Sequence, residues 1–221
     1  MPEMIGLNQA LELIHDGDVI MVGGFLANGT PEPLIDALAK SDRKNLTLIC
    51  NDTAYVDKGV GQMVVNKQIK KIIASHIGTN KETGRQMTEG ETEVCLTPQG
   101  TLAEAIRAGA YGLGGVLTPT GIGTEVAKGK QIIEVEGKEY LLHPALKGDV
   151  SLIYATKVDK DGNLYFKGST QNFNVLMAGA SKITIVLAEE IVEVGEIAPE
   201  NVKVSGVLVD YIVEGGQGWL N

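Results

Sequence analysis

Short apolar runs alternate along the chain with stretches of helical spacing. Leu7, Ala10, Leu11 and Ile14 recur at three- and four-residue intervals, which predicts a helix over 7–15. Asp16-Gly17-Asp18 stops it. Residues 19–22 (VIMV) form a continuous apolar run of strand length, as expected for a strand buried on both faces. A glycine loop follows at 23–29. Thr30 then reads as an N-cap, Pro31 as the first helical residue and Glu32 as an acid in the first turn, with the helix running through Leu34, Ile35, Leu38 and Ala39. Residues 46–50 (LTLIC), part of 71–77 (KIIASHI) and 94–97 (VCLT) predict three more strands. The last passes through Pro98-Gln99-Gly100-Thr101 into a helix over 102–112.

From about residue 112 the pattern changes. Residues 112–124 (GLGGVLTPTGIGT) are rich in glycine and threonine, without a clear period. Residues 130–142 read as a hairpin turning at Gly137-Lys138, and 150–166 as a second one turning at Asp161-Gly162-Asn163. A helix is predicted over 174–180, and two apolar runs at 183–188 and 207–213 close the sheet. Strands alternating with helices give an α/β fold: a parallel-rich sheet with flanking helices and a β-rich insertion. In such sheets ligands bind beyond the carboxyl ends of the strands. No linker, repeat or low-complexity tract divides the chain, so 1–221 reads as a single domain.

Composition narrows the classes. A net charge of −9 argues against nonspecific nucleic-acid binding, which needs a basic surface. Glycine, at 28 of 221 residues, is well above the usual ~7%, which points to tight turns and close backbone approaches. Cys50 and Cys95 sit in apolar runs with no CxxC or Cys/His cluster, as for two buried thiols in a reducing compartment. No signal-type core or run near the ~18 residues of a membrane span is present, so the expectation is a soluble, cytoplasmic protein.

Several strand ends carry candidate chemistry. Gly23 and Gly24 remove side chains where the chain leaves a strand, and the next helix could offer unpaired N–H groups to an anion. This loop matches neither a dinucleotide fingerprint nor a phosphate loop ending in Gly-Lys-Ser/Thr, and a purely structural turn fits it equally well. Asn51 and Asp52 follow LTLIC, and either could cap local backbone or hold a ligand. Gln99 is a poor capping residue, which favours a ligand role, since its amide can hold a carbonyl or carboxylate. His76 alone reads as a hydrogen-bonded structural residue, and His143 as a loop residue before proline. Glu189, Glu190, Glu193 and Glu196 read as a solvated segment at a strand exit. Nucleophile-elbow, HExxH and metal-spaced acidic motifs are absent.

The run Asp16-Gly17-x-x-Ile20-Met21-Val22-Gly23-Gly24-Phe25-x-x-x-Gly29-x-Pro31 resembles the signature of the α (A) subunit of family I CoA-transferases. The likeness continues in order through LTLICNDTAYVDKGVG, KKIIASHIGTN, ETGRQM, TPQGTLAEAIRAG, GLGGVLTPTGIGT, GNLYFKGSTQNFN and VLVDYIV, roughly residues 5–214. Within the family it is nearer to acetate and butyrate–acetoacetate enzymes than to fused succinyl-CoA:3-oxoacid ones.

The resemblance implies a homologous β (B) partner in an α2β2 assembly, with acyl-CoA and a short-chain carboxylate as substrates. It implies coenzyme A as substrate, with no tightly bound cofactor and no metal. It also implies a ping-pong reaction through a glutamyl anhydride and an enzyme-CoA thioester. In two-subunit members of that family the nucleophilic Glu belongs to the β subunit, in a Ser-Glu-Asn-Gly-like motif, and the resemblance implies the same here. No Glu-Asn-Gly occurs here; Glu200-Asn201 is followed by Val202.

By position, Gly23, Gly24, Phe25, Leu26, Ala27, Asn28 and Gly29 would form the CoA loop. Gln99 would face the catalytic Glu, Asn51 would be an active-site amide, and Asp52 would stand where some relatives have a second Asn. Two other readings remain open: a sugar-phosphate-binding or isomerase-like module of a related α/β fold, and an assembly subunit without site residues.

Overall fold

The structure is a computed structural model and describes residues 1–215; the last six residues of the expected 1–221 domain lie outside the described residues. In chain order it contains β1 (Glu3–Met4), α1 (Leu7–Glu12), β2 (Val19–Val22), α2 (Glu32–Ala39), β3 (Leu46–Cys50), α3 (Gly61–Val65), β4 (Ile69–Ala74), α4 (Lys81–Thr88), β5 (Glu93–Leu96) and α5 (Gln99–Ala110). It continues with β6 (Gly115–Thr118), β7 (Ile132–Val135), β8 (Lys138–Pro144), β9 (Gly148–Asp159), β10 (Leu164–Tyr165), α6 (Asn174–Met177), β11 (Ser181–Val192) and β12 (Tyr211–Glu214).

Among the described residues, nine strands form one sheet in the order β1-β12-β11-β9-β2-β3-β4-β5, with β10 paired to β9. Every pair is parallel except β9–β10. The chain leaves β2 toward β3, β4 and β5, then returns on the other side through β9, β11 and β12. The order therefore reverses at β2 and β9, where an open parallel sheet leaves a crevice at its carboxyl edge. The inserted sheet β6-β8-β7 is antiparallel.

Both faces of the large sheet are covered, which explains the continuous apolar runs. Ile20, Val22, Leu46, Leu48 and Cys50 pack with α1, α2 and α3 residues such as Ala10, Leu34, Ile35, Leu38 and Met63, and with Ile14 just after α1. Met21, Ile49 and Ile153 turn to the opposite face, against Leu102 and Ile106 of α5 and Met177 of α6. Among the described residues no helix is long and apolar enough to cross a membrane.

Several local expectations change. α1 stops at Glu12, because the Asp18 carboxylate takes the His15 N–H at 2.7 Å and turns the chain away. The cap of α2 is Pro31 rather than Thr30, whose side chain makes no capping bond. β4 starts two residues before the expected 71 and ends at Ala74. α3 and α4 were not anticipated, nor was β6 within 112–124. The first hairpin turns at Glu136-Gly137, one residue early. α6 ends at Met177, and of 207–213 only Tyr211–Val213 lies in β12. His143 is a buried residue of β8 rather than a loop residue. Cys50 is buried as expected, but Cys95 is exposed, because β5 is an edge strand. Glu189 and Glu190 are strand residues of β11, bonded to Tyr154 Oη and Lys157, and not a solvated tail.

Candidate active site

The loop after β2 is shaped by the protein's own side chains. A Cβ on Gly23 would lie 1.9 Å from Asn174 Oδ1. Gly24 has φ +123°, and a Cβ there would lie 2.1 Å from Thr30 Oγ1. The groups that approach these glycines are therefore Asn174 and Thr30. Asn174 spans the loop: its Oδ1 accepts the Tyr154 N–H at 2.9 Å and its Nδ2 donates to Gly29 O at 2.9 Å. Asn172 Oδ1 accepts the Gly24 N–H at 3.1 Å.

Beyond Gly24 the chain folds into a two-residue turn. Phe25 and Asn28 exchange backbone hydrogen bonds at 3.0 and 2.9 Å, with Leu26 (φ 48°) and Ala27 (φ 68°) at the tip. Left-handed backbone at two successive non-glycine residues is strained and persists only where neighbours enforce it. Here Asp52 Oδ2 does so by accepting the Leu26 N–H at 3.0 Å.

The first turn of α2 offers no N–H to an anion. The Glu32 N–H donates to Thr30 O at 2.8 Å, Pro33 has none, and those of Leu34 and Ile35 both go to Pro31 O. The expected helix-terminus anion site is thus closed from within. Glu32 itself is buried: Oε2 accepts the Gly59 N–H at 3.1 Å, while Oε1 has no partner among the described residues. Burial pushes its pKa up, with Asp36 adding to the rise and the Gly59 N–H and Lys58 opposing it.

The polar ends of adjacent strands converge. Asn51, 2% exposed, donates from Nδ2 to Asp52 Oδ2 at 2.7 Å. Its Oδ1 accepts from Gln99 Nε2 at 2.7 Å and lies 3.2 Å from the Ser75 hydroxyl, which donates to Asn51 O at 2.7 Å. Asp52 Oδ1 accepts the Ala54 N–H at 2.8 Å, an Asx-type turn. Asp52 thus both caps local backbone and lines the cleft. Gln99 opens α5 behind Pro98, which places its side chain at the strand ends. These residues line an open cleft of about 410 Å³ together with Phe25, Leu26, Ser75 and His76.

Of the residues singled out from sequence, Phe25, Leu26, Asn51, Asp52 and Gln99 therefore meet at one cleft. Gly23, Gly24, Ala27 and Gly29 lie buried beneath it, and Asn28 turns outward, its Nδ2 donating to Ser169 Oγ. His76 bridges to Asp52 through its backbone, while its ring is exposed on the cleft and has no hydrogen-bond partner among the described residues. Ser75 was missed, though it follows β4 as Asn51 follows β3. Asn172 and Asn174 were also missed as supports, and only their place in the GSTQNFN segment hinted at them.

Fold and cleft define an α/β protein with an open cleft, lined by amide and carboxylate side chains, at the carboxyl edge of its sheet. Residues 5–215 match the family described as Coenzyme A transferase, and the chain belongs to that family. Acetate CoA-transferase subunit alpha of Escherichia coli K12 is 50% identical over 211 residues, covering 96% of each chain. The acetoacetyl-CoA:acetate/butyrate CoA transferase alpha subunit of Clostridium acetobutylicum is 52% identical over 212 residues, covering 96% of this chain and 97% of the relative. An acyl-CoA transferase from Escherichia coli O157:H7, solved as a thioester complex with CoA, matches 96% of this chain with a TM-score of 0.84 at 23% identity. This chain spans 47% of that one, about half its length, and the likeness speaks to the fold.

Proposed function

We propose that the chain is the α subunit of a heteromeric CoA-transferase that moves CoA between a short-chain acyl-CoA and a free carboxylate of the acetate, butyrate or acetoacetate class. The single observation that carries this reading is the Gln99–Asn51–Asp52 network at an open cleft, within a chain about half identical to two such α subunits. The cleft presents amide donors; of the other polar groups that line it, Asp52 has both oxygens bonded to the protein and Ser75 donates to Asn51 O.

A homologous β subunit, in an α2β2 assembly in the cytoplasm, would bring the missing Glu. Its carboxylate attacks the thioester carbonyl; the C–S bond breaks, giving CoA thiolate and an acyl-glutamyl anhydride. The thiolate then attacks the glutamyl carbonyl and expels the acid, leaving a glutamyl-CoA thioester. An incoming acid reverses both steps. Each half-reaction is covalent catalysis with a good leaving group.

Gln99 sits where its second N–H can meet the oxygen that gains charge in each addition. The exposed Phe25–Asn28 turn, over its glycine-packed base, offers a wall for CoA. The chain from 1 to 221 acts as one domain in this scheme.

The test is reconstitution. The purified chain should show no exchange of CoA between acetyl-CoA and acetoacetate, and addition of the β subunit should restore it. In the complex, Gln99→Ala should lower turnover by about 100-fold or more, the scale of one lost oxyanion donor, with assembly intact. Full activity of the chain alone would overturn the split site. An unchanged rate for Gln99→Ala would favour an assembly role. Thermal stabilisation by ribose or glucosamine phosphates but not by CoA esters would favour the sugar-phosphate reading.

A further inference from the structure

Asp52 reaches the cleft, yet both its oxygens are committed to the protein. Oδ1 accepts the Ala54 N–H, and Oδ2 accepts the Leu26 N–H and Asn51 Nδ2. Beyond this the side chain is 5% exposed. Its contribution to chemistry must therefore pass through what it holds.

An amide has two nearly isosteric ends of opposite polarity, and its neighbours decide which end points where. A carboxylate offers only acceptors. Beside Asp52, the NH₂ end of Asn51 must face the carboxylate, and Oδ1 must face away. Away from Asp52 lies Gln99, donating to Asn51 Oδ1, with the Ser75 hydroxyl, whose one hydrogen goes to Asn51 O at 2.7 Å, 3.2 Å from that oxygen. Gln99 must then present its own NH₂ end to Asn51, so its remaining N–H and its Oε1 are aimed with a single sense. The three side chains form a directional relay in which one carboxylate sets the polarity of two amides, and such chains reinforce each bond within them. A neutral amide at position 52 would leave that polarity unset, because asparagine can offer either end.

We infer that Asp52 is a positioning residue: it fixes the direction of the Asn51 amide and through it the orientation of Gln99 toward the reacting carboxylate. This rests on the CoA-transferase reading for its rate effect, and on the hydrogen-bond geometry alone for its structural effect.

The test is a double-mutant cycle in the reconstituted complex. Asp52→Ala should lower kcat by about tenfold or more when Gln99 is present, the scale of a misaimed group, with the KM for the acid changed by less than about twofold. In the Gln99→Ala background the same change should cost less than about twofold in kcat, because nothing is left to aim. Equal losses in both backgrounds would show that Asp52 only braces the Leu26 and Ala54 loops and would overturn the inference. Should Asp52→Ala fail to assemble, Asp52→Asn replaces it in the cycle, with a smaller loss that again vanishes without Gln99.

A second readout does not depend on activity. In the full chain with 15N-labelled glutamine, the side-chain amide resonances assigned to Gln99 by their loss in Gln99→Ala should shift in Asp52→Asn. Unmoved resonances would overturn the relay. Moved resonances in a complex without CoA transfer would retain the relay while removing the proposed function.

Discussion

Glu32 entered the sequence reading as an acid placed to favour a helix start, and the structure gives it another character. It is buried between the turns after β2 and β3, bonded to Gly59 N–H through one oxygen, with the other unpartnered among the described residues. Burial raises its folded-state pKa above the unfolded value. The neutral form therefore favours folding. That contribution is full below the ordinary carboxylate pKa and is lost as pH rises through the folded value. Glutamine keeps an acceptor for the Gly59 N–H and cannot ionise. The melting temperature of Glu32→Gln should gain on that of the parent as pH is raised from about 4 to about 8, measured by thermal denaturation of the full chain. A pH-independent difference would show that another group dominates. Sequence could mark Glu32 as helix-terminal, but its burial and its bond to the Gly59 N–H, 27 residues on, come only with tertiary packing. The same holds for Gly23, visible in a glycine motif but explained by Asn174, some 150 residues away in sequence, whereas Gly24 answers to Thr30 close by.

Among the elements, β2 and β3 were legible to the residue because both their faces are apolar. α4 was not, because its buried positions are Thr83 and Gln86, which carry no apolar stripe. Polar bonds hold it: Gln86 Nε2 donates to Val64 O at 2.8 Å, and Thr92 Oγ1 donates to Gln86 Oε1 at 2.7 Å. Arg85 gathers Glu82 and Glu91 over the helix, and hydrogen bonds from Arg85 first of all hold both carboxyl pKa values down to about 2. Its N-cap, Asn80, is fully buried, accepts the Glu82 and Thr83 N–H groups, and donates to Thr53 O at 3.0 Å next to the site. Asn80→Ala should cost about 2–3 kcal/mol in urea unfolding, a cap together with a buried carbonyl left without its donor. Asn80→Asp, which keeps the cap and loses the donor to Thr53, should fall between. Equal stability of all three would remove the cap from the account of α4.

At the scale of the whole molecule, the sheet order explains why the site is open. β2, β3 and β4 end side by side, so Phe25, Asn51 and Ser75 share an edge that no element of this chain crosses among the described residues. The proposed second subunit, supplying the nucleophile, would have room to approach there. With the reconstituted complex under acyl-CoA, trapping the intermediate with hydroxylamine should modify a Glu of the partner and leave this chain's mass unchanged. A modified glutamate in this chain would overturn the division of labour.

The alternation of apolar runs and helical periods determined a parallel α/β sheet. The collinear motifs determined the family, and the strand-end amides marked residues that meet at one cleft. Those are local or patterned properties, carried by neighbouring residues. Which groups touch was decided only by tertiary structure: Asn174 against Gly23, Asp52 against Leu26, and Gln99 against Asn51. Each pair is joined by the sheet's crossovers over tens to well over a hundred residues, and no local spacing encodes a hydrogen bond closed at that distance. The directional amide relay exists because the ends of β3 and β4 and the start of α5 meet at one edge.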